Sequence, residues 1–282
     1  MIVGLLAGLT GVAIGLAAWK ANDYGNNVDR LTDALPSGDR PDAAPGSALT
    51  FLIVGVDPAD KNGRSVAASL LLARVTGDRK AVQLVSLPPG MGGGGAGTRS
   101  HPEPVLDAGG VGRVVGAVES ATGIRIDHVG MLDFPAFKTM TNALGGVYLD
   151  VPAPYENGGH VFSVGLRRLD GTEALAYVRN RDDGARSSQP LRQQRMLEAL
   201  FERVTSQGAF SDLGRLNVLV EALTRSLRVD DTLDTPALVS LAWEVRGVGS
   251  PSFVSAPTDD RADALWTYLR SDSLAAHLDE FR

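Results

Sequence analysis

Two apolar runs separated by a short polar segment constrain this chain more than any other feature. The runs are SLLLARV at 69–75 and AVQLVSL at 81–87, and TGDRK at 76–80 lies between them. Short aliphatic runs on either side of turn-forming residues are typical of a β-hairpin. The preceding run, ALTFLIVGVD at 48–57, predicts another buried strand. The chain must therefore build a β-sheet.

Helix and strand patterns alternate along the rest of the chain. Helices are predicted at 111–123, 135–144, 169–179 and 190–204, in two segments within 213–246 that separate near Val229-Asp230-Asp231, and at the polar C-terminus; strands are predicted at 126–134, 147–151 and 251–257. Gly145-Gly146 ends the second helix. This alternation, with at least one hairpin, predicts an α/β (α+β) fold: a mixed central β-sheet flanked by helices in a three-layer α-β-α sandwich.

The N-terminus is strongly apolar. Residues 2–19, IVGLLAGLTGVAIGLAAW, carry no charge, and as a helix they would extend roughly 27 Å, enough to cross a bilayer core. We therefore predict a transmembrane anchor at 1–20, a polar stalk at 21–48 and a folded domain at 49–282. A signal-peptide core and a buried helix remain alternatives, although a basic n-region and a clear cleavage site are missing.

Composition excludes several function classes. The formal charge of −6 argues against a protein that binds nucleic acid over its surface. The chain has no cysteine, which excludes disulfides, cysteine-bound zinc and thiol catalysis. Its four histidines show no metal-ligand spacing, so a histidine-based metal site is not expected.

Residues 177–195 contain the densest group of charges. The arginines in this stretch are Arg179, Arg181, Arg186, Arg192 and Arg195. Guanidinium groups bind phosphate oxygens in bidentate geometry, so the cluster suits a phosphate or pyrophosphate ligand. Arg179 and Arg181 would point the same way in an extended segment. The alternative is a solvated loop in which Asp182 and Asp183 offset the arginines.

Two further features permit a site but do not define one. Asp57 ends the first predicted strand, where carboxylates bind Mg²⁺ or simply form turns. The glycine-rich stretch VSLPPGMGGGGAGTR, at 85–99, lacks the Gly-Lys-Ser/Thr ending and the following helix of a phosphate-binding P-loop.

Several motifs in order resemble those of the LytR–CpsA–Psr family of bacterial envelope enzymes. FLIVGVD resembles the opening strand of the family, and VSLP resembles the stretch that leads to its Ser-Ile-Pro-Arg-Asp. ATGIRIDHVGMLDFPAFKTMTNALGGVYLDVP is similar to the central signature. LDGTEALAYVRNR followed by LRQQRMLEAL resembles the Leu-Asp-Gly and Arg-Gln segments. The resemblance covers about residues 49–205.

This resemblance implies a single-pass protein of the cell membrane whose domain lies on the extracytoplasmic side. Family members transfer glycopolymers from a polyprenyl-pyrophosphate carrier to peptidoglycan, with the prenyl tail in an apolar pocket between sheet and helices. Arginines hold the pyrophosphate and aspartates hold Mg²⁺. Carried over to this chain, the catalytic residues are Arg179 and Arg181, the pyrophosphate residues are Arg64, Arg179, Arg181, Arg192 and Gln193, and the metal ligand is Asp57.

The charged positions depart from the family pattern. On the strand, Ala68-Ser69 stand where the family has Asp-Thr, and Val66 stands where it has an arginine. In the loop that follows the hairpin, Pro89-Gly90 stand where the family has Arg-Asp. Arg186 and Gln189 take the positions of an Asp-x-x-Arg pair, and PVLDAGGVG (104–112) lacks a Lys and an Asn of the family pattern. A lone carboxylate holds Mg²⁺ poorly, and lost phosphate-facing donors each cost about a hundredfold in rate. Mg²⁺ is therefore a doubtful cofactor here.

These observations leave three hypotheses. The first is a membrane-anchored family member that binds a polyprenyl-phosphate-linked glycopolymer, with weak or lost transferase activity, and works with peptidoglycan and other envelope-assembly proteins. The second is an active Mg²⁺-dependent phosphotransferase with a rearranged site, in which Arg64, Arg99 or Arg186 replaces the lost arginines. The third is a transcription regulator, against which the acidic composition argues.

Overall fold

The computed structural model describes residues 29–57, 65–93, 105–106, 110–179, 189–206, 227–234, 237, 240 and 251–281. The strands in these ranges are β1 (Asp29–Leu31), β2 (Leu49–Asp57), β3 (Ser65–Val75), β4 (Val82–Leu87), β5 (Val105–Leu106), β6 (His128–Asp133), β7 (Val147–Val151), β8 (Tyr155–Asn157), β9 (His160–Phe162), β10 (Gly165–Leu169), β11 (Leu227–Asp230) and β12 (Ser252–Ser255). The helices are α1 (Gly110–Thr122), α2 (Phe134–Ala143), α3 (Gly171–Arg179), α4 (Gln189–Ser206) and α5 (Arg261–Arg270).

The predicted hairpin forms as β3 and β4, which pair in antiparallel register. Its turn is closed by the polar residues that suggested it: Thr76 Oγ1 donates to Asp78 Oδ1 at 2.7 Å, and the Lys80 N–H donates to the same oxygen at 3.0 Å. Side chains of this kind replace missing backbone partners in turns. The hairpin prediction is confirmed.

Eight of the described strands form one mixed sheet, in which seven have the order β1-β11-β6-β2-β3-β4-β12 and β5 pairs with β3. The pairs β2–β6, β4–β12 and β1–β11 are parallel, and the other pairs are antiparallel. Two small antiparallel sheets, β7–β10 and β8–β9, lie outside it. The prediction of a mixed central sheet is confirmed.

Helices cover both faces of this sheet. On one face, α1 and α5 pack through Val114, Val118 and Leu265 onto a cluster that includes Leu52 and Leu72. On the other face, α2, α3, α4 and the strand pair β7–β10 share a second apolar cluster. None of the helices in the described ranges has the length and hydrophobicity that a membrane crossing requires, and the anchor predicted at 1–20 lies outside those ranges.

Part of the predicted stalk is folded against the domain. β1 adds a parallel strand to the edge of the sheet, and Leu31 and Ala34 are buried in the cluster with α1. Farther along, the Arg40 guanidinium is bound to the buried Glu119 carboxylate. The boundary placed at residue 49 is therefore corrected: residues 29–48 belong to the folded unit, although their polar composition suggested a stalk.

A second correction concerns β11. The sequence Val229-Asp230-Asp231 was interpreted as a break between two helices, but Leu227–Asp230 is a strand between β1 and β6. It is only four residues long, which is too short for a periodicity to stand out. Most of the two helices predicted at 213–246 lies outside the described residues.

Candidate lipid-phosphate cleft

A cleft with a volume of about 110 Å³ lies between the central sheet and helices α2, α3 and α4. The sheet contributes Ile53, Gly55, Ala68, Ser69, Leu70, Leu71, Ser86 and Leu132, and the helices contribute Phe134, Phe137, Leu175, Val178, Arg179, Gln193, Met196 and Leu197. Aliphatic and aromatic groups dominate this lining, with a few polar groups among them. Such a cleft suits a ligand with a long apolar part and a small polar head.

The sheet geometry explains why the cleft lies here. β2 and β6 are parallel, so their carboxyl ends meet at one edge of the sheet, with Val56 paired to Asp133. Asp133 then caps α2, because its Oδ1 accepts the Ala136 N–H at 2.7 Å. Ligand sites of open α/β sheets form at this edge.

A β-bulge shapes the wall of the cleft. The register of β2 and β3 shifts between Gly55 and Val56, where Gly55 faces Ser69 and Val56 faces Ala67. Ala68 is the extra residue, and its side chain lines the cleft. A Cβ on Gly55 would lie 2.1 Å from Ser69 Oγ. Bulges commonly redirect side chains beside functional sites.

Arg179 supplies the charge at the cleft. It is the last residue of α3, and its Nη2 donates a hydrogen bond to Asp57 Oδ2 at the end of β2. The guanidinium also stacks on Phe134, with Cζ 4.5 Å from the ring centroid. The ion pair and the ring fix the plane of the guanidinium, while the Arg179 side chain remains 39% exposed. A positioned, accessible guanidinium of this kind can bind a phosphate.

Uncharged polar groups also line the cleft. Ser86 Oγ donates to Gln193 Oε1 at 3.4 Å, and both residues line the cleft together with Ser69. Hydroxyl and amide groups are neutral donors that orient a bound anion without adding charge.

The residues carried over from the family do not all occupy one place. Arg179 and Gln193 line the cleft, and Asp57 contacts Arg179 from outside the lining set, although Asp57 and Arg179 are 122 residues apart in sequence. Arg192 is buried, and its Cζ lies 5.5 Å from the Tyr155 ring centroid, outside the set of cleft-lining residues. Arg64 and Arg181 lie outside the described residues.

An aromatic cluster beside the cleft was missed from sequence. Tyr155 stacks on Phe162 at 4.7 Å, and both rings contact the buried Tyr177 of α3. Burial raises the pKa of the Tyr177 hydroxyl, and the nearby Arg195 guanidinium opposes that increase. Through Tyr177, the cluster packs against α3, the helix that carries Arg179.

One sequence signal could have revealed this cluster. β8 and β9 are joined by Gly158-Gly159, with φ of 58° and 78°. Two consecutive residues with positive φ are typical of the type I′ turn of a two-residue hairpin, and Gly-Gly at the two central positions is one of the sequences that favour it. Gly158-Gly159 therefore predicts the hairpin that carries Tyr155 and Phe162.

The described side chains do not fit a Mg²⁺ ion well. Asp57 is the carboxylate that pairs with the cleft-lining Arg179, and Arg179 already neutralises it. Nowhere in the described ranges do three or more carboxylate or imidazole groups cluster as a metal site would require. Mg²⁺ prefers free carboxylate oxygens together with phosphate oxygens.

The fold and cleft agree with the comparison to known families. The model of the LytR_cpsA_psr family matches residues 20–277. The chain therefore belongs to the LytR–CpsA–Psr family, and the match extends beyond the residues 49–205 that carried the resemblance.

Two curated relatives are each 26% identical to this chain. The chain is 26% identical to the polyisoprenyl-teichoic acid–peptidoglycan teichoic acid transferase TagV of Bacillus subtilis, over 78% of this chain and 60% of TagV. It is 26% identical to the cell wall biosynthesis protein LcpA of Corynebacterium glutamicum, over 91% of this chain and 56% of LcpA. The chain thus spans less than two thirds of the length of either relative.

Solved structures share the fold. A LytR-Csp2A-Psr enzyme from Actinomyces oris aligns with a TM-score of 0.67 and 21% identity, covering 86% of this chain and 96% of that one. TagT bound to LIIa-WTA aligns with a TM-score of 0.60 and 21% identity, covering 84% of this chain and 98% of TagT. At this identity the similarity demonstrates the fold alone.

Proposed function

We propose that this chain binds a polyprenyl-phosphate-linked glycopolymer in the cleft, as part of attaching that polymer to peptidoglycan. The apolar walls take the prenyl chain, and Arg179 takes the phosphate. We further propose that the domain works at the outer surface of the cell membrane, held there by the apolar segment at its N-terminus.

The observation that carries this proposal is the composition of the cleft. Leu132, Phe137 and Met196 give it an apolar interior, and Arg179 lines it beside Asp57 at the carboxyl end of β2. A prenyl phosphate has the same division, with a hydrocarbon tail and one anionic end. Relatives such as TagV are named as polyisoprenyl-teichoic acid transferases, which supports the same class of ligand.

We propose that transfer itself is weak or lost. Ala68 presents a methyl group to the cleft where the family pattern has an aspartate, and Asp57 is bound to Arg179. Fewer charged groups therefore remain to stabilise the charge that develops on a transferring phosphoryl group. The alternative is an active phosphotransferase with a rearranged site, which the placement of Arg179 and Gln193 in the cleft leaves open.

Calorimetric titration with farnesyl phosphate tests the binding function. Ala68→Leu adds three carbons to a cleft of about 110 Å³ and should abolish binding, while overpacking at this buried position should lower stability by no more than about 1–3 kcal/mol and leave the protein folded. Ala121→Leu, at an exposed position of α1, is the matched control and should bind normally. Equal affinities for the two variants would contradict the placement of the ligand.

A transfer assay separates the two proposals about activity. Lipid-linked glycopolymer is incubated with peptidoglycan, and the attached polymer is measured alongside an active relative. We expect little or no attachment by this chain. Turnover comparable to that of the relative would favour the active alternative, and it would leave the binding function standing.

A further inference from the structure

The Asp57–Arg179 ion pair has a consequence for how the cleft holds an anion. Arg179 Nη2 donates directly to Asp57 Oδ2, so a monovalent cation already neutralises this carboxylate. A divalent metal that bridged Asp57 and a phosphate would have to displace the guanidinium or compete with it for the same oxygen atoms.

The guanidinium is suited to bridge two anions by itself. Its planar fork has five N–H donors, and the contact with Asp57 uses Nη2. Phe134 supports one face of the fork at 4.5 Å, so the donors stay in a fixed plane. With 39% of the Arg179 side chain exposed and 17% of the Asp57 side chain exposed, the arginine is the more accessible partner.

The described residues of the neighbouring wall add no carboxylate. Ala68 and Ser69, at the bulge of β3, contribute a methyl group and a hydroxyl group, and Ser86 and Gln193 contribute neutral polar groups. Among the described residues that line the cleft, Arg179 is the charged one. The donors in this part of the chain thus match a phosphate better than a cation.

We infer that the cleft binds its lipid phosphate without a divalent cation, with Arg179 bridging the Asp57 carboxylate and the phosphate in the place of a metal ion. The inference rests on the proposed function, since it specifies how that ligand is held. In this arrangement Asp57 orients Arg179 and at the same time repels the phosphate. In a metal-dependent site, Asp57 would instead be required for binding.

The two arrangements predict opposite effects of Asp57→Asn. Without a metal, the asparagine removes a negative charge next to the phosphate, and affinity for farnesyl phosphate should increase about threefold or more. Arg179→Gln removes a charge-assisted contact and should weaken binding about tenfold or more. Arg261→Gln changes an exposed arginine that pairs with Asp259, and affinity should not change.

The test is a titration of farnesyl phosphate into the full chain, once with excess EDTA and once with millimolar Mg²⁺. Equal affinity in both buffers, with tighter binding by Asp57→Asn, is the expected result. Binding that requires Mg²⁺, or that Asp57→Asn weakens, overturns the inference and leaves the proposed function standing. Absence of binding in both buffers overturns the proposed function as well. The comparison of buffers uses the unaltered protein, so it does not depend on how a variant folds.

Discussion

Gly171 sets the position of the helix that carries Arg179. A Cβ at this residue would lie 2.3 Å from Lys138 O and 2.7 Å from Lys138 Cα, so α3 begins directly against the backbone of α2. The Gly171 N–H also donates to Asn142 Oδ1 at 2.8 Å. Only a residue without a side chain permits this approach. The direction of α3, and with it the direction of Arg179, depends on this contact.

Gly171→Ala should therefore destabilise the protein by about 1–3 kcal/mol, because the methyl group meets backbone atoms that cannot rotate away. Gly116→Ala in α1 is the matched control. A Cβ there lies 3.7 Å from Pro36 Cγ, an ordinary contact, and alanine favours the helix by up to about 1 kcal/mol. Urea unfolding of both variants checks the difference, and equal effects would contradict the close approach.

Asp230 joins two strands through a buried carboxylate. It is 0% exposed, its oxygens accept the N–H groups of Val129 at 2.8 Å and Thr232 at 3.1 Å, and His128 Nδ1 lies 3.4 Å away. Burial alone would raise the pKa of this carboxyl group, but the hydrogen bonds from His128, Thr232 and Val129 outweigh it, and the pKa lies below its usual value.

A depressed pKa contributes stability above the unfolded pKa of about 3.9, and that contribution is lost as the pH falls through the folded pKa. Asp230→Asn should cost about 1–3 kcal/mol at pH 7. The difference between the variant and the unaltered protein should shrink at pH 3. Denaturant unfolding at both pH values measures it, and a difference that does not change with pH would contradict the ionised state of Asp230.

At the scale of elements, the segment before β2 is fastened to α1 by a charged pair. Arg40 Nε lies 3.1 Å from both carboxylate oxygens of Glu119, and Arg40 Nη2 lies 2.6 Å from Oε1. Glu119 Oε1 also accepts the Ile126 N–H at 2.8 Å. The side chains are 10% and 4% exposed, so water screens this pair weakly.

Arg40→Leu should destabilise the protein by about 3 kcal/mol, because it leaves the Glu119 carboxylate buried without its partner. The double variant Arg40→Leu/Glu119→Gln should lose less stability than the sum of the single variants. Arg261→Leu, which breaks an exposed pair, should have no measurable effect. Strictly additive losses in the cycle would show that residues 29–48 do not pack as described.

The long elements and the short strand β12 could be predicted from sequence, and several other short strands were missed. The β3–β4 hairpin and the helices α1 to α4 are long enough for their apolar periodicity and turn residues to mark them. β8 and β9 have three residues each and form a local hairpin, which the turn at Gly158-Gly159 marks. β1 and β11 have three or four residues, and their place is set by pairing with distant strands. The folded part of the stalk was missed for the same reason, since Arg40 and Glu119 are 79 residues apart.

In the candidate site, too, the local motif could be predicted from sequence and the long-range contacts could not. The motif around Tyr177 and Arg179 identified the helix whose last residue, Arg179, lines the cleft, but the pairing of Arg179 with Asp57 depends on contacts between β2 and α3 that no local spacing encodes. The role of Arg192 in binding the pyrophosphate stays a prediction, and its contact with Tyr155 of the unpredicted β8–β9 hairpin could not be read from the motif.

At the scale of the whole molecule, the sheet and helices α2, α3 and α4 line an apolar cleft, and Arg179 is the charged residue among its described lining residues. The bulge at Gly55, the cap at Asp133 and the contact at Gly171 each shape one wall. Because these features shape a single cleft, we expect the prenyl chain and the phosphate to occupy it at the same time.

The structure of the chain in complex with farnesyl phosphate tests this most directly. We predict that the prenyl chain lies between Phe137, Leu175 and Met196 and that the phosphate contacts the Arg179 guanidinium while Asp57 still accepts from it. A ligand bound elsewhere on the protein, or a phosphate that lies away from Arg179, would contradict the account.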